Sequence, residues 1–107
     1  MLCTSENAGQ FVRKNGWYLK GRNIKDRKGL SVDECQNWCA EYAGCQSFDY
    51  AKGKQKCFLH KVTSADKGVK MKAGKDQIYG ELCPGMKLMS KAARKYTRQD
   101  YSVLIQE

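Results

Sequence analysis

The sequence predicts a small α+β domain held by disulfides, and three observations carry that prediction. The chain has 107 residues and six cysteines, a combination typical of an extracellular domain with three disulfides. One segment has helical periodicity, and several short segments have the composition of strands. The length allows one domain with a tail, and no apolar run approaches a membrane span. No signal-peptide pattern precedes Cys3, so we expect the mature part of a secreted or extracellular protein, or an excised module.

A single helix is predicted over residues 32–43. Its start has the pattern of a capping box, in which Ser31 accepts from the Glu34 amide and Glu34 accepts from the Ser31 amide. The positions that follow at helical spacing form one apolar face: Cys35, Trp38, Cys39 and Tyr42. Gly44 comes after the last turn and suits a left-handed C-cap.

A β-hairpin is predicted before the helix. Residues 11–14 and 17–19 have the composition of strands and flank Asn15-Gly16. Asn-Gly readily adopts the two positive φ values of a type I′ turn, which is the common turn of two-residue hairpins. We therefore expect the two segments to pair with each other.

The chain after the helix predicts a second hairpin and a last strand. The aromatic and apolar residues predict a strand over 45–50 and a partner strand over 57–59. The polar, Gly-containing segment between them predicts a turn over 51–55. Residues 61–76 are rich in lysine and contain two glycines, which predicts a long exposed loop. Residues 78–82 have strand composition again.

The helix register limits how the cysteines can pair. Cys35 and Cys39 lie one turn apart on the same face with roughly parallel side chains, so each should have a different partner. Cys45 lies just past the helix, so a bond to Cys39 is plausible, and Cys57 on a neighbouring strand can then bond Cys35. The two remaining cysteines are left for each other: Cys3 and Cys83.

The spacing Cys-x3-Cys-x5-Cys, then Phe and Tyr, then Cys-x-Leu, runs from Cys35 to Leu59. Together with the segments Leu19–Ile24 and Leu30–Glu34, it resembles the PAN/apple module family, which includes the N-terminal domains of hepatocyte growth factor and plasminogen. The resemblance ends at Cys83. The segment beyond has no place in such a module.

The resemblance implies a curved antiparallel β-sheet of about five strands cradling one α-helix. It also implies the bonds Cys35–Cys57 and Cys39–Cys45 between helix and hairpin, with an outer Cys3–Cys83 bond. The domain organisation is then a disulfide-stapled module over 1–83 and a basic C-terminal tail or linker over 84–107. Within that tail, residues 86–98 have apolar residues at helical spacing among basic ones, the pattern of an amphipathic helix or of a partly ordered linker.

The charge of the chain is +9 and is unevenly distributed. Basic residues dominate 13–28 and 51–75, whereas 29–50 contain acidic residues and no basic ones. A segregated positive field favours polyanionic partners, and the alternative is a well-solvated surface. The basic candidates for ligand binding are Arg22, Lys25, Arg27, Lys28, Lys52, Lys54, Lys56, Lys61, Lys70 and Lys72.

The residues offer little for catalysis or metal binding. His60 is the single histidine, and its neighbours Leu59 and Lys61 give it no activating context, so we expect a surface or strand-edge histidine. Cys57 and His60 have the spacing of half a zinc site, but no second pair completes it. We expect no enzyme, no metal and no cofactor.

The leading hypothesis is an extracellular, non-catalytic module that binds proteins or carbohydrates. The charge favours sulfated glycosaminoglycans, and growth-factor members of the resembled family bind heparin. One alternative is an adhesion or anti-adhesion module that binds collagen, a coagulation protein or a matrix protein. Another is a secreted parasite-type or venom-type effector that binds sugar. Nucleic acid is not expected as a partner, membrane contact is expected only through 86–98, and the sequence leaves the oligomeric state open.

Overall fold

One antiparallel sheet and one helix make up the computed structural model, which describes residues 2–84. In chain order, a 3-10 turn at Ser5–Asn7 precedes β1 (Phe11–Leu19), β2 (Asn23–Lys28), α1 (Val32–Glu41), β3 (Ser47–Ala51), β4 (Lys56–His60) and β5 (Met71–Leu82). The strands lie in the order β1-β5-β3-β4-β2. The predicted α+β class with five strands, one helix and three disulfides is confirmed. The proposed tail and the helical pattern over 86–98 lie outside the described residues, apart from Pro84.

The helix begins as the capping box predicts. The Glu34 amide donates to the Ser31 hydroxyl at 3.1 Å, and the Ser31 amide donates to the Glu34 carboxylate at 2.8 Å. The helix ends at Glu41, slightly before the predicted end, and Gly44 follows with φ +85°. Among the described residues, no helix has the length and apolar composition needed to cross a bilayer.

Two disulfides fasten the helix to the rest of the chain. Cys35 bonds Cys57 of β4, and Cys39 bonds Cys45 just after the helix, with Cα atoms 5.5 and 5.3 Å apart. The third bond joins Cys3 to Cys83 across 80 residues of sequence. In the chain-entropy model this outer bond alone is worth roughly 4.5 kcal/mol, a large part of a small domain's stability of about 5–15 kcal/mol.

The apolar core lies between the helix and the sheet. Phe48 and Leu59 are fully buried there, and Phe11 packs on Phe48 with ring centroids 5.9 Å apart. Gly80 of β5 lies directly beside the Phe48 ring, since a Cβ at that position would overlap the ring. Burying each of these large side chains contributes about 1.5–3 kcal/mol.

The predicted first hairpin is wrong, because residues 11–19 form the single strand β1. Both halves of β1 pair with the same long strand, from Phe11 opposite Leu82 to Leu19 opposite Met71. The register shifts between Asn15 and Trp17. Between these two positions β1 has one residue, Gly16, and β5 has four, residues 74–77, so the extra residues belong to β5. The positive φ of Gly16 therefore lies at an irregularity within a continuous strand instead of at a turn that reverses it.

Two further differences concern basic segments. The loop predicted over 61–76 ends at residue 70, since β5 begins at Met71 and its first half pairs with β1. The sequence pattern does not predict β2, because all six of its residues are exposed and none of the apolar alternation that signals a strand is present.

Candidate ligand-binding surface

Four lysines lie together at one end of the sheet. Lys28, the last residue of β2, is directly opposite Lys56, the first residue of β4. Lys52 and Lys54 lie on the turn between β3 and β4. The Gly29 amide donates at 2.8 Å to a backbone carbonyl of that turn, so the end of β2 and the turn are adjacent. We call these four lysines the turn-end cluster.

Asp76 of β5 holds this turn in place. Its backbone carbonyl accepts from the Lys52 amide at 2.9 Å, and its side-chain Oδ2 accepts from the Gly53 amide at 2.9 Å. A Cβ on residue 53 would lie 2.6 Å from the same oxygen, so glycine permits the close approach. Because the backbone of the turn is fixed, less conformational entropy is lost when a ligand binds to its lysines.

Most of the charge of the turn-end cluster is not neutralised within the domain. The exception is Lys56, whose Nζ lies 3.9 Å from Asp26 Oδ1 and 5.2 Å from the ring centroid of Phe58. For the other three lysines, no carboxylate lies within ion-pair distance in the part of the chain that the structure describes. These three are exposed, so an anion in solution meets their ammonium groups directly.

A second basic group lies where the end of β1 pairs with the start of β5. The Lys20 amide donates to the Lys70 carbonyl at 3.0 Å, and Lys72 follows within β5. Arg22 is close by, since its Nη2 lies 3.8 Å from the position that a Cβ on Gly68 would occupy. We call Arg22, Lys70 and Lys72 the β1-end group.

β2 connects the two groups. The strand Asn23–Lys28 spans about 17 Å at the usual rise per residue. Arg27 is opposite Cys57, whose sulfur is bonded to α1, so Arg27 and Lys25 project on the helix side of the sheet. The Arg27 guanidinium lies 4.4 Å from the centroid of the Trp38 ring, a cation–π contact.

Lys61 is the one basic candidate that lies apart from this arrangement. Its side chain packs beside Gly44 after the helix, 3.6 Å from the position of a Cβ there. It also lines an open groove of about 820 Å³ whose rim includes Thr4 and Asp66. Of the ten basic candidates, the structure therefore gathers four in the turn-end cluster, three in the β1-end group and two on β2.

The structure also has a buried polar pair that sequence reasoning missed. His60 is 0% exposed and Asp49 is 3% exposed, so the prediction of a surface histidine is wrong. His60 lies at the end of β4 between β2 and β3, and the sheet face opposite the helix is covered there. The Leu19 amide donates to the two oxygens of Asp49 at 3.0 and 3.3 Å.

A second buried polar group lies nearby on β5. The Tyr79 hydroxyl donates to Glu81 Oε1 at 2.7 Å, and the Ser64 hydroxyl donates to the same oxygen at 2.6 Å. The Ser64 amide donates to the Tyr79 oxygen at 2.9 Å. These bonds attach the loop between β4 and β5 to the sheet.

Burial changes the acidity of one member of each group. It raises the pKa of Asp49, and the contacts with His60 and the Leu19 amide oppose that rise without cancelling it. It also raises the pKa of Tyr79, and the hydrogen bond and charge of Glu81 raise it further. A dissolved ligand therefore meets the surface cations, whereas these groups act on the stability of the fold.

Comparisons with known proteins agree with this architecture. The family model described as PAN domain matches residues 3–83. The solution structure of a PAN module from Eimeria tenella is 25% identical, with a TM-score of 0.50 over 70% of this chain and 84% of that chain. No match was found among curated proteins. PAN modules are generally non-catalytic binding domains for proteins or carbohydrates, and with several disulfides they are typical of extracellular proteins. The match spans the module from its first cysteine to its last, and the chain belongs to the PAN domain family.

Proposed function

We propose that this module binds sulfated glycosaminoglycans of the heparin type, with the turn-end cluster as the main contact. The observation that carries the proposal is a set of exposed lysines, on and beside a turn fixed by Asp76, that have no ion-pair partner within residues 2–84. Sulfate groups repeat along such a chain, so spaced ammonium groups on a rigid base match them without a deep pocket.

The β1-end group extends this surface. Its Arg22 directly precedes β2, the strand of about 17 Å that ends at Lys28 of the turn-end cluster, and Lys25 and Arg27 lie on that strand. A polyanion that follows β2 would contact both ends. Each neutralised sulfate releases counterions, so binding should weaken steeply as salt increases, as it does for nucleic acids.

The test is elution from heparin resin in a salt gradient, with a charge-matched control. The double variant Lys52→Gln/Lys54→Gln should elute at clearly lower salt than the parent protein. The double variant Lys14→Gln/Lys61→Gln removes the same charge outside the two basic groups and should elute close to the parent. Equal loss in both variants would show that net charge alone causes retention, and elution of the parent at physiological salt or below would contradict the proposal.

A protein partner is the second candidate, and one contact favours it. Arg27 stacks on the half-buried Trp38 at 4.4 Å, and arginine and tryptophan are the residues that most often dominate protein–protein interfaces. If a protein is the ligand, Arg27→Ala should abolish its capture at moderate salt, whereas Lys52→Gln/Lys54→Gln should not. The reverse pattern favours the glycan.

A further inference from the structure

The outer edge of β2 has the properties of a strand-docking site. We propose that it binds an extended acidic peptide, which adds a strand antiparallel to β2 and enlarges the sheet. This proposal goes beyond glycan binding, because it depends on backbone hydrogen bonds that a polysaccharide cannot supply in strand register. It uses the backbone edge of β2, and it shares only the side chain of Lys28 with the turn-end cluster.

The position and exposure of β2 make its edge available. β2 is the last strand in the sheet order and pairs only with β4 among the described strands. All six of its residues are exposed. An unpaired edge presents a row of amide and carbonyl groups that an incoming strand can satisfy, and this strand-addition mode recurs in peptide recognition.

The register shows which backbone groups point outward. The Gly29 amide donates to the Gln55 carbonyl, and the same register places Arg27 opposite Cys57. Bonded and non-bonded pairs alternate along an antiparallel ladder, so Arg27 is bonded inward to β4. Asp26 and Lys28 fall between these bonded positions. Their amides and carbonyls therefore face away from β4.

The side chains of the strand select the charge of its partner. Lys25, Arg27 and Lys28 are basic, and Asp26 is the single acidic residue of β2. A second copy of β2 would bring basic residues against basic residues, which is destabilising across a strand pair. An acidic strand gains favourable cross-strand pairs instead, so the edge resists self-association and favours an acidic partner.

A designed peptide tests the register directly. The probe is acetyl-Thr-Glu-Glu-Thr-Glu-Val-amide, which in antiparallel register places its glutamates opposite Lys28, Arg27 and Lys25 and its second threonine opposite Asp26. N-methylation of its second and fourth residues removes the amides that face β2. N-methylation of its third and fifth residues instead removes amides that face away from β2. The two methylated peptides have the same charge and the same number of added methyl groups.

The first methylated peptide should bind about tenfold more weakly than the parent peptide, and the second should bind nearly as well as the parent. Isothermal titration or fluorescence anisotropy at physiological salt measures both. Equal affinities for the two methylated peptides, or no saturable binding of the parent peptide, would overturn the proposal.

A matched pair of protein variants tests the same edge from the other side. Asp26→Pro and Asp26→Ala both remove the carboxylate, but only proline removes the outward amide, at an edge position where a strand tolerates it. Affinity for the peptide should fall about fivefold or more in the proline variant relative to the alanine variant. Heparin retention should be the same in both, which separates this proposal from glycan binding. Equal peptide affinity in two folded variants contradicts strand addition.

Amide exchange gives a readout that needs no variant and remains decisive if proline disturbs folding. Binding of the peptide should slow exchange at the amides of Asp26 and Lys28, whereas the amide of Arg27 should already be protected in the free protein. Unchanged exchange at the two outward amides in the saturated complex would rule out the added strand.

Discussion

His60 Nε2 lies 3.0 Å from Asp49 Oδ2 in a region that solvent does not reach. The distance suggests an ion pair, but neither nitrogen of His60 has an aligned hydrogen-bond partner within residues 2–84. Burial outweighs this contact in its effect on Asp49, so the pKa of the carboxyl lies above its usual value. Asp49 therefore makes the stability of the fold depend on pH.

The first prediction concerns that pH dependence. The pKa of Asp49 is higher in the folded than in the unfolded state, so the protonated carboxyl favours the folded state. Its contribution to the free energy of unfolding is fully present below about pH 4 and is lost as pH rises through the raised pKa. The substitution Asp49→Asn replaces the carboxyl with an amide, which does not titrate and keeps an oxygen for the Leu19 amide. The free energy of unfolding of the variant minus that of the parent should therefore increase as pH rises from acid to neutral. Denaturant titrations at several pH values, with disulfides intact, measure this difference, and parallel pH profiles would contradict it.

The second prediction concerns Tyr79. Its substitution by Phe removes the nearer of two acceptors of the Ser64 amide, which keeps Glu81 Oε1 at 3.2 Å, and removes one donor to the buried Glu81 carboxylate. Unfolding should therefore cost about 1–3 kcal/mol less. The raised pKa of Tyr79 means that its contribution is present at neutral pH and is lost above about pH 10. Stability of the parent should therefore fall more steeply than that of Tyr79→Phe in the alkaline range. Identical alkaline slopes would show that Tyr79 does not cause the loss.

The third prediction concerns the order of disulfide reduction. Cys3 is half-buried, whereas the other five cysteines are at most 1% exposed, so a mild reductant should open Cys3–Cys83 first. Glu81 Oε2 lies 3.1 Å from the Cys3 sulfur, and its charge repels an attacking thiolate. Glu81→Gln should therefore accelerate reduction by an anionic thiol more than by a neutral phosphine. Timed alkylation with peptide mapping measures the order, and simultaneous release of all six thiols would contradict it. Full reduction should unfold the domain at body temperature.

The fourth prediction concerns the approach of Gly80 to Phe48. A methyl group at residue 80 would overlap the ring, so Gly80→Ala should destabilise the fold by about 1–3 kcal/mol. The cost should shrink when Phe48→Leu is already present, because the smaller side chain leaves room for the methyl group. A double-mutant cycle measures this coupling, and additive costs would show that the two positions do not interact.

Local chemistry explains why the helix and the disulfide framework could be predicted. Ser31 and Glu34 form a capping box within four residues, and Cys35 and Cys39 lie on one helical face regardless of tertiary structure. β1 could not be predicted in the same way. Asn15-Gly16 is compatible with a turn and with an irregular position within one strand, and pairing with β5, far along the chain, decides between them.

The basic surface and the buried polar groups, like β1, depend on strand pairing that has no local signal in the sequence. Lysine identity is visible in the sequence, but the grouping of Lys28 with Lys52 depends on the pairing of β2 with β4. The burial of His60 has no local signal, because its counterpart Asp49 is on another strand and the amide that satisfies Asp49 comes from Leu19.

The outer disulfide has a mechanical consequence. The Cα atoms of Cys3 and Cys83 lie 5.4 Å apart, so the polypeptide enters and leaves the module at nearly the same point. Tension applied through flanking segments would pass across this covalent bond and leave the sheet unloaded. Within a longer protein, the module would therefore stay folded and able to bind while the flanking segments are under tension. Reducing the one bond would let the same pulling force reach β1 and β5 and unravel the binding surface.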